Sequence, residues 1–264
     1  MLPHGHAELA ILASHCEAGV PVTNNGWVID AWTMSEDAVD AAVEVYRAVL
    51  LGDRADATRD LLAEQGIDLD ALLAGDSSKD DITRSDVTEL MAAASVAARN
   101  GWDADLFHMP NVPKMARKKS DSGIDVMAAM LDPDGGPELG SEERLLFVSV
   151  KHSVAQSAQG LRYKLEKSVS DGDLTSAYVA QQLRVLNGRL KAEGIPVNVA
   201  ERVWQFIQYI WDEDKVDHVA VGVADVLMKS DFEHHITLLP SISSAKHFRA
   251  IYVPELGKLA SKCP

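Results

Sequence analysis

The first third of the chain carries apolar residues at helical spacing. Residues 35–51 open with a serine and acidic residues and continue with apolar positions three or four apart, which predicts a helix. Shorter patterns predict helices over residues 56–65 and 69–73. The polar run 75–81 has few apolar residues and predicts a linker.

A long helix is predicted to begin at Asp86 and to end at Asn100-Gly101. Its apolar residues are spaced to form one buried face: Val87, Leu90, Met91, Ala94 and Ala98. After a loop with two prolines the period changes, and residues 123–131 and 144–152 read as two strands. The Gly/Pro-rich connection 132–143 predicts that they pair antiparallel.

The remainder of the chain alternates helices and strands. Helices are predicted from Val154 to about residue 171, over 174–193 and over 199–211; strands are predicted over 218–223 and 247–253. The last of these helices carries an apolar surface that predicts core: Trp204, Phe206, Ile207, Ile210 and Trp211. We therefore expect an α/β fold with a mixed sheet flanked by helices.

Composition narrows the class of protein. With 264 residues, 47% of them hydrophobic, the chain can bury a core, which excludes disorder throughout. No apolar run is long enough for a membrane helix, residues 1–6 do not resemble a signal peptide, and the two cysteines are too few for a disulfide framework. We expect a cytoplasmic protein that does not contact a membrane.

Acidic and basic residues are distributed unevenly along the chain. The formal net charge is -15, and residues 1–100 hold 18 of the 40 acidic residues but only 6 of the 25 basic ones. We expect an acidic, mostly helical N-terminal region over residues 1–80 and a second domain over residues 81–264. The acidic region is expected either to dock a partner or to screen the rest of the protein from nucleic acid.

The candidate catalytic residues lie on the two central predicted strands. Asp125 lies inside the first strand, where a charge is costly unless it has a partner, and the second strand closes with Ser149-Val150-Lys151. Because side chains alternate along a strand, Ser149 and Lys151 are predicted to share one face. Alternatively, Lys151 is a lysine that snorkels from a strand edge.

These residues resemble the PD-(D/E)xK nuclease superfamily, whose order is an acid on a helix, an aspartate at a strand start, a hairpin ending in (D/E)-x-K, and a helix. Here the order is Glu89, Asp125, Ser149-Val150-Lys151 and the helix from Val154. The segments PKM, SGIDV and LLFVSVKHS are most similar to HamA nuclease subunits of bacterial Hachiman anti-phage systems. The resemblance implies a restriction-endonuclease-like fold, Mg²⁺- or Mn²⁺-dependent DNA cleavage, and control by a helicase (ATPase) partner.

The chemistry suits these residue types. Carboxylates hold Mg²⁺ together with water and phosphate oxygens, and a lysine supplies a point charge to the same phosphate. The resemblance gives Asp125, Glu89 and Glu166 as metal ligands, with Lys151 and Ser149 in the catalytic site. Glu166 enters because Ser149 stands where most members have an acid, and some restriction endonucleases place the missing glutamate on the next helix.

The two glutamates could also have purely structural roles. Glu89 could form a capping box with Asp86, and Glu166 could pair with Arg162 one helical turn away. Basic residues on either side of the site predict DNA binding, although a solvated basic loop has the same composition: Lys114, Arg117, Lys118, Lys119, Lys164 and Lys167.

Two further functions remain possible from the sequence. Ser149 favours a catalytically inactive member of the same fold that senses DNA or assembles a complex. An unrelated α/β interaction protein is the more distant alternative, in which Asp125 and Lys151 form an ion pair with each other.

Overall fold

The computed structural model describes most of the sheet and the helices that cover it. The residues that the structure describes are 7–51, 77–98, 106–108, 125–132, 134–153, 159–164, 176–192, 194–210, 214–238 and 246–259. The helices predicted over 56–65 and 69–73 lie outside these ranges. No helix in these ranges is both long and apolar enough to cross a membrane.

The described strands form one mixed sheet. They are β1 (Cys16–Ala18), β2 (Val22–Asn24), β3 (Trp27–Met34), β4 (Phe107–His108), β5 (Val126–Met130), β6 (Arg144–Ser153), β7 (Val216–Asp225) and β8 (Lys246–Val253). Their order is β1-β3-β8-β7-β6-β5-β4, with β2 also paired to β3. Strands β3, β8, β7 and β6 run parallel, whereas β5 pairs antiparallel with β6 and β4 antiparallel with β5.

Helices flank both faces of this sheet, so the expected α/β class with a mixed sheet is confirmed. They are α1 (Ala7–Ser14), α2 (Ala38–Leu51), α3 (Ser77–Ala97), α4 (Ser176–Ala192), α5 (Val197–Gln205) and α6 (Lys229–Thr237). Residues 159–164 are also helical. Short 3₁₀ turns follow α5, β7 and β8, at Phe206–Tyr209, Val226–Met228 and Leu256–Lys258.

Side chains alternate along β6, so its residues pack in two different cores, one on each face of the sheet. Leu146, Val148 and Val150 pack in the core formed with α1, α2 and α3. Leu145 and Phe147 point to the other face, where α4 and α5 cover them. The predicted core surface of residues 204–211 lies there as well, with Phe206 and Ile210 buried and Trp204 and Ile207 partly buried; Trp211 lies outside the described ranges.

The long helix α3 differs from its prediction. It begins at Ser77, nine residues before Asp86, so residues 77–81 are helical and do not form the predicted linker. Asp86 and Glu89 therefore lie inside the helix, and the predicted capping box at Glu89 is wrong. Nearly the whole helix is buried between residues 86 and 96, because α1 and α2 cover the side that the sheet does not.

The N-terminal residues contribute strands as well as helices. Strand β3 pairs in parallel with β8 over seven residues, from Trp27 opposite Lys246 to Thr33 opposite Tyr252. Helix α3 also runs across the boundary that was expected between residues 80 and 81. Part of the region 1–80 is therefore built into the same sheet as the strands that carry the candidate site.

Candidate active site

The candidate site is built on the β5–β6 hairpin. Val126 lies opposite Val148 in the antiparallel register. The residue before β5, Asp125, donates its backbone N–H to the carbonyl oxygen of Val148 at 2.9 Å. This bond fixes the start of β5 beside the last third of β6, where the Ser-Val-Lys sequence lies.

Asp125 is buried and anchored to the neighbouring strand. Its side chain is 8% exposed, and its Oδ2 atom accepts the backbone N–H of Val150 at 2.6 Å. A carboxylate that accepts an N–H over so short a distance forms a strong, charge-assisted bond. The bond explains how the fold accommodates an acid at the edge of an apolar core.

Lys151 reaches back to the backbone of the same residue, Val150. Its Nζ atom donates to Ser149 Oγ at 3.2 Å and to the Val150 carbonyl oxygen at 3.2 Å. Since the N and O atoms of one residue are at most about 3.6 Å apart, Asp125 Oδ2 and Lys151 Nζ lie within roughly 9.5 Å of each other. The structure thus brings Asp125, Ser149 and Lys151 together around Val150.

Ser149 and Lys151 are half-buried and share a face of the sheet, as the alternation predicted. On the adjacent parallel strand, Ala220 lies opposite Ser149 and Gly222 lies opposite Lys151. Both neighbours are small, so β7 offers little side-chain bulk beside these two polar groups.

Lys151 and Asp125 do not form the ion pair expected for an unrelated interaction protein. Within the described ranges, the contacts of Lys151 Nζ are with a hydroxyl and a carbonyl oxygen, and neither belongs to a carboxylate. The Lys151 Nζ atom therefore lies beside two uncharged oxygens. A lysine held in this way can attract an anion.

The helical segment 159–164 covers the same face of the sheet. Leu161 is buried in a core that includes Ala220, the residue opposite Ser149. Lys164, one of the predicted DNA-binding residues, is exposed, and its Nζ atom lies 3.4 Å from the carbonyl oxygen of His152. The structure therefore places Lys164 beside the residue that follows Lys151.

Glu89 approaches the sheet from the opposite face. Helix α3 packs on the side of Val148 and Val150, away from the face that Ser149 and Lys151 share. The Glu89 side chain is 2% exposed, and its Oε1 atom accepts the Ser85 hydroxyl at 3.2 Å. The sheet therefore separates the helix that carries Glu89 from the face of Ser149 and Lys151.

The other predicted site residues lie outside the described ranges: Glu166, Lys167, Lys114, Arg117, Lys118 and Lys119. Among the residues that the structure does describe, no group of three or more His, Cys, Asp or Glu side chains is arranged to hold a metal ion. The described donors at the site are the Asp125 carboxylate and the Ser149 hydroxyl. One carboxylate is a donor set that suits Mg²⁺ when water and phosphate oxygens complete its shell.

The sequence analysis missed two residues at this edge of the sheet. Lys229 begins α6 just after β7, and its Nζ atom lies 5.4 Å from the centre of the Tyr252 ring, a cation–π contact. Tyr163, within the segment 159–164, is 65% exposed. The parallel pairing of β6 with β7 places the C-terminal ends of both strands at the same edge of the sheet. No pattern in the sequence indicates that pairing.

Comparisons of the sequence with known protein families and with characterised proteins found no match.

Proposed function

We propose that this protein is a Mg²⁺- or Mn²⁺-dependent deoxyribonuclease of restriction-endonuclease-like fold. The observation that carries the proposal is that Asp125 and Lys151 both bond to the backbone of Val150. In phosphodiester hydrolysis a buried carboxylate can hold a metal ion, and an ammonium group can stabilise the charge that grows on the phosphate.

The order of elements also supports this function. A helix with an acid (α3), a strand preceded by aspartate (β5), a strand ending in Ser-x-Lys (β6) and a following helical segment occur in the order of the PD-(D/E)xK superfamily. The resemblance to HamA subunits further suggests a role in bacterial anti-phage defence, in the cytoplasm and under the control of a helicase partner.

Each residue has a proposed role. Asp125 would bind the divalent cation, with Glu166 as the second carboxylate. A bound Mg²⁺ ion would supply Lewis acidity and a more acidic water. Lys151 would stabilise the negative charge that grows on the phosphate oxygens, and Ser149 would hold the Lys151 ammonium in place through the bond at 3.2 Å.

A catalytically inactive subunit for DNA sensing or complex assembly is the second candidate. Ser149 stands where most members of the superfamily have an acid, and a hydroxyl is a weaker Mg²⁺ ligand than a carboxylate. The position of Glu89 on a helix that packs against the opposite face also favours this candidate. Both functions predict DNA binding, so cleavage and metal binding must separate them.

The test compares cleavage of supercoiled and linear DNA by the wild type, Asp125→Asn and Lys151→Met in Mg²⁺ or Mn²⁺. Asparagine keeps an oxygen for the Val150 N–H and removes only the charge, and methionine keeps most of the apolar stem of lysine. Loss of one preorganised charge typically lowers a rate by about 10²- to 10³-fold, so cleavage should collapse in both variants.

Matched controls are Asp217→Asn and Lys191→Met, which change exposed residues outside the site. Both controls should cut at the wild-type rate. Calorimetric titration with Mn²⁺ gives a second readout that needs no partner protein and no turnover, and Asp125→Asn should weaken binding. Absence of both cleavage and Asp125-dependent Mn²⁺ binding in the wild type would reject the nuclease and leave the inactive subunit.

A further inference from the structure

Tyr163 is an aromatic side chain in an unusual position. It is 65% exposed, whereas the other aromatic side chains whose burial the structure describes are buried or half-buried. Its neighbour Lys164 is also exposed. Proteins bind unpaired nucleotides by stacking the base on an exposed aromatic ring while a nearby cation contacts the phosphate.

The backbone that carries this pair is fixed on three sides. Leu161 is 1% exposed and packs with Ala220 and Phe232 beneath the segment. The contacts of Lys164 with His152 and of Arg162 Nη1 with the His235 carbonyl oxygen at 3.5 Å hold it laterally. Tyr163 therefore lies on a helical segment that Leu161 anchors to the sheet.

The pair belongs to the same face as the candidate active site. Leu161 shares its core with Ala220, and Ala220 lies opposite Ser149 on the adjacent strand. The Lys164 ammonium contacts the residue next to Lys151. A nucleic-acid strand whose phosphate lies against Lys151 can therefore continue along Lys164 and past the Tyr163 ring.

We infer that Tyr163 and Lys164 bind an unpaired nucleotide beside the scissile phosphate, so that the substrate is single-stranded or locally unpaired DNA. In a duplex both faces of each base are covered by neighbouring bases, and the exposed ring would have nothing to stack on. The inference rests on the proposed nuclease function. A strand-separating reaction must then supply the substrate, and this is the chemistry of a helicase.

The test measures fluorescence anisotropy of labelled single-stranded oligothymidylate and of a blunt-ended duplex without a loop, at low salt and with Ca²⁺ in place of Mg²⁺ to prevent cutting. The wild type should prefer the single strand. Tyr163→Ala should weaken binding of the single strand about 5- to 150-fold, the range that loss of one base–aromatic stack gives, and leave duplex binding unchanged.

Two variants check the cause. Tyr163→Phe keeps the ring and should bind as the wild type does, whereas Val197→Ala changes another side chain, 61% exposed, outside the site and should have no effect. Equal loss of single-strand and duplex binding in Tyr163→Ala, or no loss, would overturn the inference and leave the nuclease proposal intact. Absence of all DNA binding by the wild type would overturn both.

Discussion

The connection between β5 and β6 depends on one buried ion pair, and removing its cation should destabilise the protein. Arg202 of α5 is 1% exposed and pairs with Glu143, which is 2% exposed. Arg202 Nη1 donates to the Asp132 carbonyl oxygen at 2.9 Å. The Glu143 carboxylate accepts the N–H groups of Asp132 at 2.8 Å and Gly140 at 2.9 Å. The pair thus fixes both ends of the connection between the two strands of the site.

Arg202→Met keeps the apolar stem of the side chain, removes the guanidinium and leaves the Glu143 carboxylate buried without its cation. Breaking a buried pair in this way costs about 3–5 kcal/mol of unfolding free energy. Glu143 retains two N–H donors, so we expect the lower end of that range. Adding Glu143→Gln removes the remaining charge and keeps one acceptor, so the double variant should be more stable than Arg202→Met alone.

Urea unfolding followed by tryptophan fluorescence measures this effect. With a slope of about 3 kcal/mol/M, a loss of about 3 kcal/mol moves the midpoint by about 1 M. Arg184→Met, at an exposed arginine of α4, is the control and should shift the midpoint far less. A midpoint for Arg202→Met equal to that of the control, or a double variant less stable than the single one, would refute the reasoning.

Two more predictions concern single residues. A methyl group at Gly135 would overlap the guanidinium of Arg202, with Cζ only 2.8 Å away, whereas at Gly136 it would meet nothing within 4 Å. Gly135→Ala should therefore cost about 1–3 kcal/mol in urea unfolding and Gly136→Ala almost nothing; equal costs would contradict this packing. Burial raises the pKa of the Cys16 thiol to about 12, so in a Cys263→Ser variant iodoacetamide should react at pH 8 far more slowly with folded than with urea-unfolded protein. Equal iodoacetamide rates for the folded and the unfolded protein would show an exposed thiol. Because the thiol ionises at lower pH in the unfolded state, the free energy of unfolding should also fall as the pH rises from about 9 to 12.

The central strands were predicted well because their signal is local. Strands β5 to β8 are short apolar runs bounded by Gly, Pro or charged residues, and each was placed to within a few residues. The hairpin of β2 and β3 was missed although its turn has a clear signature. Asn25 and Gly26 have φ angles of 51° and 86°, and Asn-Gly at such a two-residue turn favours a hairpin.

Several features depend on contacts that a linear pattern does not contain. The helix α3 begins in a polar run, Ser77 to Asp81, that has no apolar face to reveal it. Its central part is buried between two helices, α1 and α2, and the sheet, so a pattern with one apolar face underestimates its burial. The unexpected helix α6, with the polar sequence KSDFEHHIT, is held to the sheet by Phe232.

The candidate site was predictable in its hairpin and not in its surroundings. The shared face of Ser149 and Lys151 follows from strand alternation alone. The bond from Val150 N–H to Asp125 depends on strand pairing, and the side from which Glu89 approaches depends on how α3 packs. Residue order along the chain therefore gives the candidates for a metal site, and the faces of the sheet decide which of them can meet.

The position of the acidic N-terminal residues bears on their expected role. Residues 1–46 contain no lysine or arginine, and β3, their longest strand, is separated from β6 by β8 and β7. At about 4.8 Å between neighbouring strands, β3 lies roughly 14 Å from β6, well beyond the Debye length of about 8 Å at physiological salt. Exposed acids such as Glu17 and Glu36 should therefore repel DNA only weakly at the site, which argues against screening by these residues. Truncation of residues 1–80 would remove β3 from the sheet, so a double variant, Glu17→Gln with Glu36→Gln, is the better test. Its affinity for DNA at physiological salt should equal that of the wild type. A large gain in affinity would support the screening hypothesis.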